Sequence, residues 1–454
     1  MRDPGSFRDP SGFIFKEKKQ IFRVVNKSYQ TNFNHLISSG LYSELVEKKY
    51  IVQHEKTEKY ISKDQYCVLK VDRIFPITYP FEWSFSQFKD AAILTLEIQK
   101  ISLKYKMMLK DANPYNIQFK DSKAIFIDTL SFEKINDENY AWVAYKQFCE
   151  MFLGPLCLMS FIDPSLCKLL IPNIDGIPLT LVNKLLKLKH KFNPSIFIHI
   201  VLPNIINSKV ESKPSEIKKK ISKKQHLNII EQLLIFIKNL KALKEKSEWG
   251  EYNFETVSEK KDYVLNKENI IEQLLKNKSY NIVWDVGAND GFYSRKISHL
   301  TDSHVMALDI DWKCVEKNYV INKKKNIKNI TPILFDLSNP TPGVGWMNNE
   351  RTNLFSRIGK PDLICLFAVM HHILNRNIPF ELLLNFLNET KRDVLIEYIP
   401  YSDPKCQIIF KSRPDEFYYP SQNDFEKLIL KNFEIKHIEE LVQTKRVLYL
   451  IKKK

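Results

Sequence analysis

Three acids stand where apolar runs end in the second half of the chain. Asp285 closes "NIVWD", Asp309 follows "HVMAL", and Asp336 follows "PILF". Buried carboxylates without partners are costly, so packing alone gives no reason to repeat the arrangement. A ligand rich in hydroxyl and amino groups does. Around the first acid the chain reads "NIVWDVGANDGFYSRKI" (281–297). Gly287 lets the backbone turn and approach a ligand with no side chain in the way. Asn289 tolerates left-handed backbone better than most residues. Gly291 opens a helical pattern whose first amides would face the same place. Glycine is scarce, with 11 in 454 residues, so two within five positions mark a turn placed for a purpose. Asp309 lies 24 residues beyond Asp285. In nucleotide-binding folds an acid at that interval accepts the ribose hydroxyls. Asp311 is a second candidate for that part. Two further pairs could move protons. His371 and His372 end "PDLICLFAVMHHI" (361–373), and Glu397 and Tyr398 end "DVLIEYIP" (393–400). A neutral imidazole or a carboxylate can take the proton of a hydroxyl nucleophile. Glu397 reads equally well as a structural hydrogen-bond partner.

All these residues serve one site only if the strands that carry them point the same way. Residues 251–454 alternate strand-like runs with polar helical stretches. That alternation predicts a parallel sheet with helices on both faces. Ligands of such sheets sit outside the carboxyl ends of the strands. The D-x-G-x-N-x-G turn differs from the dinucleotide pattern G-x-G-x-x-G. It resembles motif I of class I S-adenosylmethionine-dependent methyltransferases, with Asn289 where glycine is common. The resemblance implies a Rossmann-like seven-stranded α/β domain, closed by a hairpin from "NFEIKHIEE" and "RVLYLIKK". It implies S-adenosylmethionine held by Asp285, Gly287, Asn289, Gly291 and Asp309, with Asp336 near the adenine amino group. The A-x-x-H-H ending of the fourth strand fits the same family. A sulfonium methyl is already activated, so the protein mainly has to position it. His371, His372 and Glu397 are the candidates for a base. No cluster of metal-ligand residues is visible, and no metal is expected.

The first half holds "LKDANPYNIQFKDSKAIFIDTLSFE" (109–133). Asp111 and Asn116 have the D-x-x-x-x-N spacing of the kinase catalytic loop. Asp128 lies 17 residues after Asp111, where kinases place a metal-binding aspartate. This resembles a kinase-like α+β domain of the aminoglycoside and choline kinase type, but a degenerate one. Leu109 stands where the loop histidine is usual. "DPSGFIF" (9–15) has one glycine where a phosphate loop needs several. Arg23 in "QIFRVV" stands for the lysine that contacts ATP. Read end to end, the chain resembles a bacterial two-part family, nodulation-associated, with a kinase-like segment ahead of a methyltransferase. "PSGF", "SGLYSEL", "YPFEWSFSQFKDAAILTLEIQ", "WVAYKQFCEMFLGPLCLM" and "SEWGEY" carry that resemblance. The expected domains are 1–205, kinase-like; 206–262, a lysine-rich helical linker; and 263–454, the methyltransferase.

Bulk properties narrow the partners. The net charge is +16, but abundant lysine, isoleucine and asparagine can reflect genomic bias. DNA is not expected, and no RNA-binding module is visible, though the lysine content permits an RNA acceptor. A small molecule or a glycan is the acceptor class expected, through a hydroxyl. The most apolar run, "MFLGPLCLMSFI" (151–162), is too short to span a bilayer and reads as a buried helix. Seven scattered cysteines without a C-x-x-C pair fit a reducing cytoplasm. A phosphotransferase, or an ATP-binding regulatory unit at the N-terminus, is the alternative to a methyltransferase.

Overall fold

In the computed structural model of the chain, residues 2–136, 139–210, 220–243, 261–390, 392–411 and 418–454 are described. The chain forms two compact units. Unit one is Met1–Lys244 with Pro342–Asn353, and unit two is Glu245–Thr341 with Leu354–Lys454.

In unit one, β1 (Gly12–Glu17), β2 (Gln20–Asn26), β3 (His54–Thr57) and β4 (Gln65–Val71) form an antiparallel sheet in the order β1-β2-β4-β3. The helix Phe85–Ser102 starts at Ser84, whose hydroxyl accepts from the Gln87 amide while Gln87 reaches back to Ser84. This reciprocal cap satisfies two amides that the first helical turn leaves open. The helix is buried along much of its length, through Phe88, Ala91, Ala92, Leu96 and Ile98 among others. Next come β5 (Met107–Leu109), β6 (Ile117–Lys120), β7 (Lys123–Phe126) and β8 (Phe132–Lys134). β6 and β7 pair through the turn Asp121–Ser122, both with positive φ, as a two-residue hairpin requires. β5 pairs with β8. These two small sheets bracket Asp111, Asn116 and Asp128.

Two segments depart from the expected domain boundaries. The helix Lys223–Asn239, expected in the linker, packs on Phe85–Ser102 within unit one. Its stripe of Ile230, Leu233, Leu234 and Ile237 is buried. Residues 215–219 of the lysine-rich run 215–226 and all of "SEWGEY" lie outside the described residues. The short stretch Pro342–Asn353 also belongs to unit one. There Glu350 receives two bonds from Arg8, at 2.6 and 2.9 Å, and the Arg351 guanidinium sits 4.4 Å from the Tyr115 ring centroid.

Unit two is built on β9 (Ile282–Val286), β10 (His304–Asp309), β11 (Ile330–Leu334), β12 (Leu363–Leu366), β13 (Asp393–Tyr398), β14 (Phe433–Glu440) and β15 (Val447–Lys453). They form one seven-stranded sheet in the order β11-β10-β9-β12-β13-β15-β14. β9 to β13 run parallel, and β15 enters antiparallel between β13 and β14. The chain goes outward from β9 in one direction through β10 and β11, then returns to its other side as β12. That reversal opens a crevice at the carboxyl ends of β9, β10 and β12. Val283, Val305, Leu363 and Leu395 are fully buried in the core beneath it.

Candidate functional site

The turn after β9 is shaped by two left-handed glycines and an asparagine: Gly287 at φ +74°, Asn289 at +50° and Gly291 at +79°. The Gly287 and Ala288 amides donate to the Leu308 carbonyl at 2.8 and 3.1 Å, which fastens the turn to β10. A Cβ on Gly287 would stand 2.6 Å from Val369 Cγ2. The backbone therefore lies against the mouth of β12 with no room for a side chain. A Cβ on Gly291 would meet the Asn318 side chain at 2.3 Å. That glycine makes room for the buried Asn318 side chain, a packing role beside the ligand role expected of it.

Asp285 is 1% exposed. Its Oδ2 accepts from Ser294 Oγ at 2.5 Å, while its Oδ1 is buried without a partner. Burial pushes the carboxyl up to about 6. Asp309 is also held at about 6 by burial, against the pull of the Asp311 and Asn289 amides. Those amides donate at 2.8 and 2.7 Å. Each carboxylate oxygen keeps a lone pair for a further donor. Asp311 instead caps the helix Trp312–Lys324 by accepting from the Lys313 amide at 2.8 Å. Asp336 lies beyond β11. Burial works to raise its carboxyl, but Ser338 and Arg376 hold it below the usual range. The Arg376 bond is 2.9 Å.

The histidines are not at a strand end. β12 stops at Leu366, Ala368 turns at φ +55°, and both rings sit in the helix Met370–Asn375. Their centroids are 4.0 Å apart. His371 is buried, and its Nδ1 has no partner. Burial, then the neighbouring His372, hold it neutral, well below the ordinary imidazole value. Burial lowers His372 to about 4.

Glu397 is fully buried within a charge network. It accepts from Lys267 Nζ at 2.6 Å, Tyr263 Oη at 2.8 Å and Arg446 Nη1 at 3.3 Å. Arg446 also donates to Asp403 at 2.9 Å. Burial alone would raise the Glu397 carboxyl, yet Lys267 and Arg446 bring it down to about 2. So weak a base, closed in by cations, is unsuited to proton abstraction, which corrects its expected candidacy. Tyr398 donates to the Pro420 carbonyl at 3.1 Å, a structural bond. Lys267, Tyr263 and Arg446 escaped the sequence reading. A signal existed: Tyr263, Lys267 and Ile271 share one helical stripe, which places a lysine on an apolar face.

In unit one the expected trio does gather. Asn116 donates to Asp111 Oδ2 at 2.9 Å and to Ser131 Oγ at 3.2 Å, and Ser131 donates to Asp128 at 2.5 Å. Gln147 takes the other Asp111 oxygen at 2.7 Å, and Arg23 is ion-paired with Asp128 Oδ1. Burial, then Asp128, raise the Asp111 carboxyl. All four carboxylate oxygens thus have internal donors, and the cation position beside Asp128 is filled by a guanidinium. The set does not fit a divalent metal. Among the described residues, no group of three or more His, Cys, Asp or Glu could hold one. Magnesium–ATP is therefore expected to leave the melting temperature unchanged. Asp128→Ala, by stranding Arg23, should lower stability by roughly 1–3 kcal/mol. A nucleotide-dependent stabilisation of about 2.7 kcal/mol, as a ligand gives at a hundred times its Kd, would reverse this reading.

No family model matches the chain. It is 28% identical over 465 residues to the nodulation protein NoeA of Rhizobium meliloti (strain 1021), covering 99% of this chain and 95% of that one. Among solved structures it is similar to a SAM-dependent methyltransferase from Aquifex aeolicus, at 15% identity and TM-score 0.33, covering 46% of this chain and 100% of the other. Similar figures hold for the magnesium protoporphyrin IX methyltransferase of Synechocystis PCC 6803 with bound SAH: 15% identity, TM-score 0.34, 45% of this chain and 96% of that one. WbdD, in a co-crystal with a kinase inhibitor, is 16% identical at TM-score 0.29, over 43% of this chain and 41% of its own.

Proposed function

We propose that unit two binds S-adenosylmethionine and transfers a methyl group to a hydroxyl of a small molecule or glycan. One observation carries the reading. Beside a glycine turn with no space for a side chain stands Asp285, whose Oδ1 is buried and unpartnered. An orphaned carboxylate oxygen at the mouth of a parallel strand is stable only if something else satisfies it. The methionine ammonium of the cofactor has the charge for it. Asp309 would accept the ribose hydroxyls, with the Asn289 amide fixing its orientation. Bound there, the cofactor supplies a methyl on a cationic sulfur. The protein's own work is to hold the acceptor in line and to exclude water. His371 and His372 are neutral at physiological pH and are the remaining groups proposed to receive the acceptor's proton. The similarity to a nodulation protein along the whole chain is compatible with a glycan acceptor and does not choose it over another hydroxyl compound.

Calorimetric titration with S-adenosylmethionine tests the reading. Saturable one-to-one binding is expected. Asp309→Ala should weaken it by roughly 1–3 kcal/mol, the range for charge-assisted bonds left unmade. Equal affinity in a folded Asp309→Ala chain would remove the ribose assignment. Absence of any binding heat to the wild-type chain at several temperatures would remove the function.

A further inference from the structure

Residues 176–210 contain no aspartate or glutamate, yet Lys184, Lys187, Lys189 and Lys191 fall within eight positions. The stretch folds as short helices Leu179–Leu185, Leu188–Lys191 and Pro194–Ile196, followed by the π-turn Phe197–Val201 and the helix Leu202–Val210. These pieces pack on one another within unit one. Val182, Leu186, Ile196 and Ile200 face inward and are buried. Other apolar side chains face out. Leu188 is 70% exposed and Phe192 79%, with Leu185, Phe197 and Ile198 each about 40% exposed. Lys184, Lys187 and Lys189 are exposed among them, and none is ion-paired among the described residues. Burial, then Lys189 and Lys187, hold His190 below its usual pKa, which registers the local positive field. Beside the patch an open cleft of about 650 Å³ is lined by Phe161, Asn193, Ser195, Ile235, Phe236 and Leu240.

Single exposed apolar residues are ordinary. Five within fourteen positions, interleaved with lysines in a stretch that carries no acid, are not. A protein partner explains them poorly, because interface cores are depleted of lysine. A nucleic acid would pair with the lysines and leave Leu188, Phe197 and Ile198 without a purpose. An anionic bilayer uses both. Apolar side chains enter the acyl boundary while lysine stems lie along it and their ammonium groups reach the headgroups. No helix among the described residues is long and apolar enough to cross a membrane, so contact would be with the surface.

We propose that residues 184–198 form a face that docks unit one on an anionic lipid surface. This goes beyond the methyl-transfer reading and does not depend on it. The test is sedimentation of the full chain with vesicles of phosphatidylcholine alone or mixed with phosphatidylglycerol. The wild-type chain is expected to pellet with the mixed vesicles only, and less so at high salt. Changing Lys184, Lys187 and Lys189 together to glutamine should lower partitioning roughly a hundredfold. Leu188→Ser with Phe192→Ser should lower it by more than about tenfold. Both sets are exposed, so circular dichroism and S-adenosylmethionine titration should match wild type. The proposal fails if the wild-type chain ignores mixed vesicles, or if both variants pellet as it does. It fails too if the lysine variant instead loses RNA retention, or if the apolar variant instead abolishes a dimer while vesicles are ignored. The first of these outcomes would make the face a nucleic-acid surface, and the second a contact between copies.

Discussion

A Gly287→Val chain is expected to bind S-adenosylmethionine at least about a hundredfold more weakly than wild type and to melt at a lower temperature. Two penalties coincide. At φ +74° a β-branched residue is strained, at a cost of roughly 1–2 kcal/mol. Its Cβ would also stand 2.6 Å from Val369 Cγ2, closer than any real contact. Either Val369 or the turn must move. The turn is tied to β10 through the Leu308 carbonyl, and its next amide, Asn289, holds Asp309. A shift therefore spreads from the glycine to the proposed ribose acceptor. Strain and overpacking together come to about 2–4 kcal/mol. Gly291→Ala makes the contrast. Its Cβ would strike the buried Asn318 side chain, so the loss should fall on stability more than on affinity. Calorimetry and thermal unfolding on both variants separate the two roles. A folded Gly287→Val chain with wild-type affinity would show that the ligand does not approach this turn.

The residues that were legible in the sequence are those whose signal is local. β9 and β10 are apolar runs with an acid at or next to the last residue, and their apolar body is what a buried parallel strand requires. The glycines announce the turn because no other residue takes that backbone cheaply. The errors are equally physical. "FAVMHHI" is apolar throughout, and such a run does not say where strand gives way to helix. The bend at Ala368 does, and it moves His371 and His372 off the strand. The helix Lys223–Asn239 is expected in the linker because lysine-rich stretches flank it, although its apolar residues at helical spacing, Ile230, Leu233, Leu234 and Ile237, demand a partner. Pro342–Asn353 is polar and rich in turn residues, and nothing local tells that Glu350 will bind Arg8. Glu397 is the sharpest case. Its role depends on Lys267 and Arg446, and only the assembled sheet brings them to it.

Replacing Glu397 by alanine is expected to destabilise unit two by about 3–5 kcal/mol, the cost of removing one partner from a buried ion pair. Lys267 would remain almost wholly buried over the Tyr293 and Phe367 rings, 4.6 and 4.3 Å from their centroids. Burial already lowers its pKa despite the glutamate, so without Glu397 it would shed its proton more readily. The same network fixes the acid limb of stability. The Glu397 carboxyl falls from an ordinary 4.5 to about 2 on folding. Its contribution is complete above the unfolded value and is lost as the pH falls from about 4.5 towards 2, some 3 kcal/mol in all. Asp285 and Asp309 act with the opposite sign. Their carboxyls are raised from 3.8 to about 6, so the fold loses stability as the pH rises from about 3.8 to about 6 and regains it on acidification. Together these three carboxyls should favour the fold most near about pH 4, and their contribution should fall below it as Glu397 is protonated. Glu397→Gln should flatten the acid limb, and Lys267→Met in the same chain should restore part of the loss, because the unpaired cation goes with it. Chemical denaturation across the pH range decides the matter. If Glu397→Ala instead unfolds like wild type and only turnover falls, the carboxylate acts on the reaction, and its pairing with Lys267 must open during catalysis.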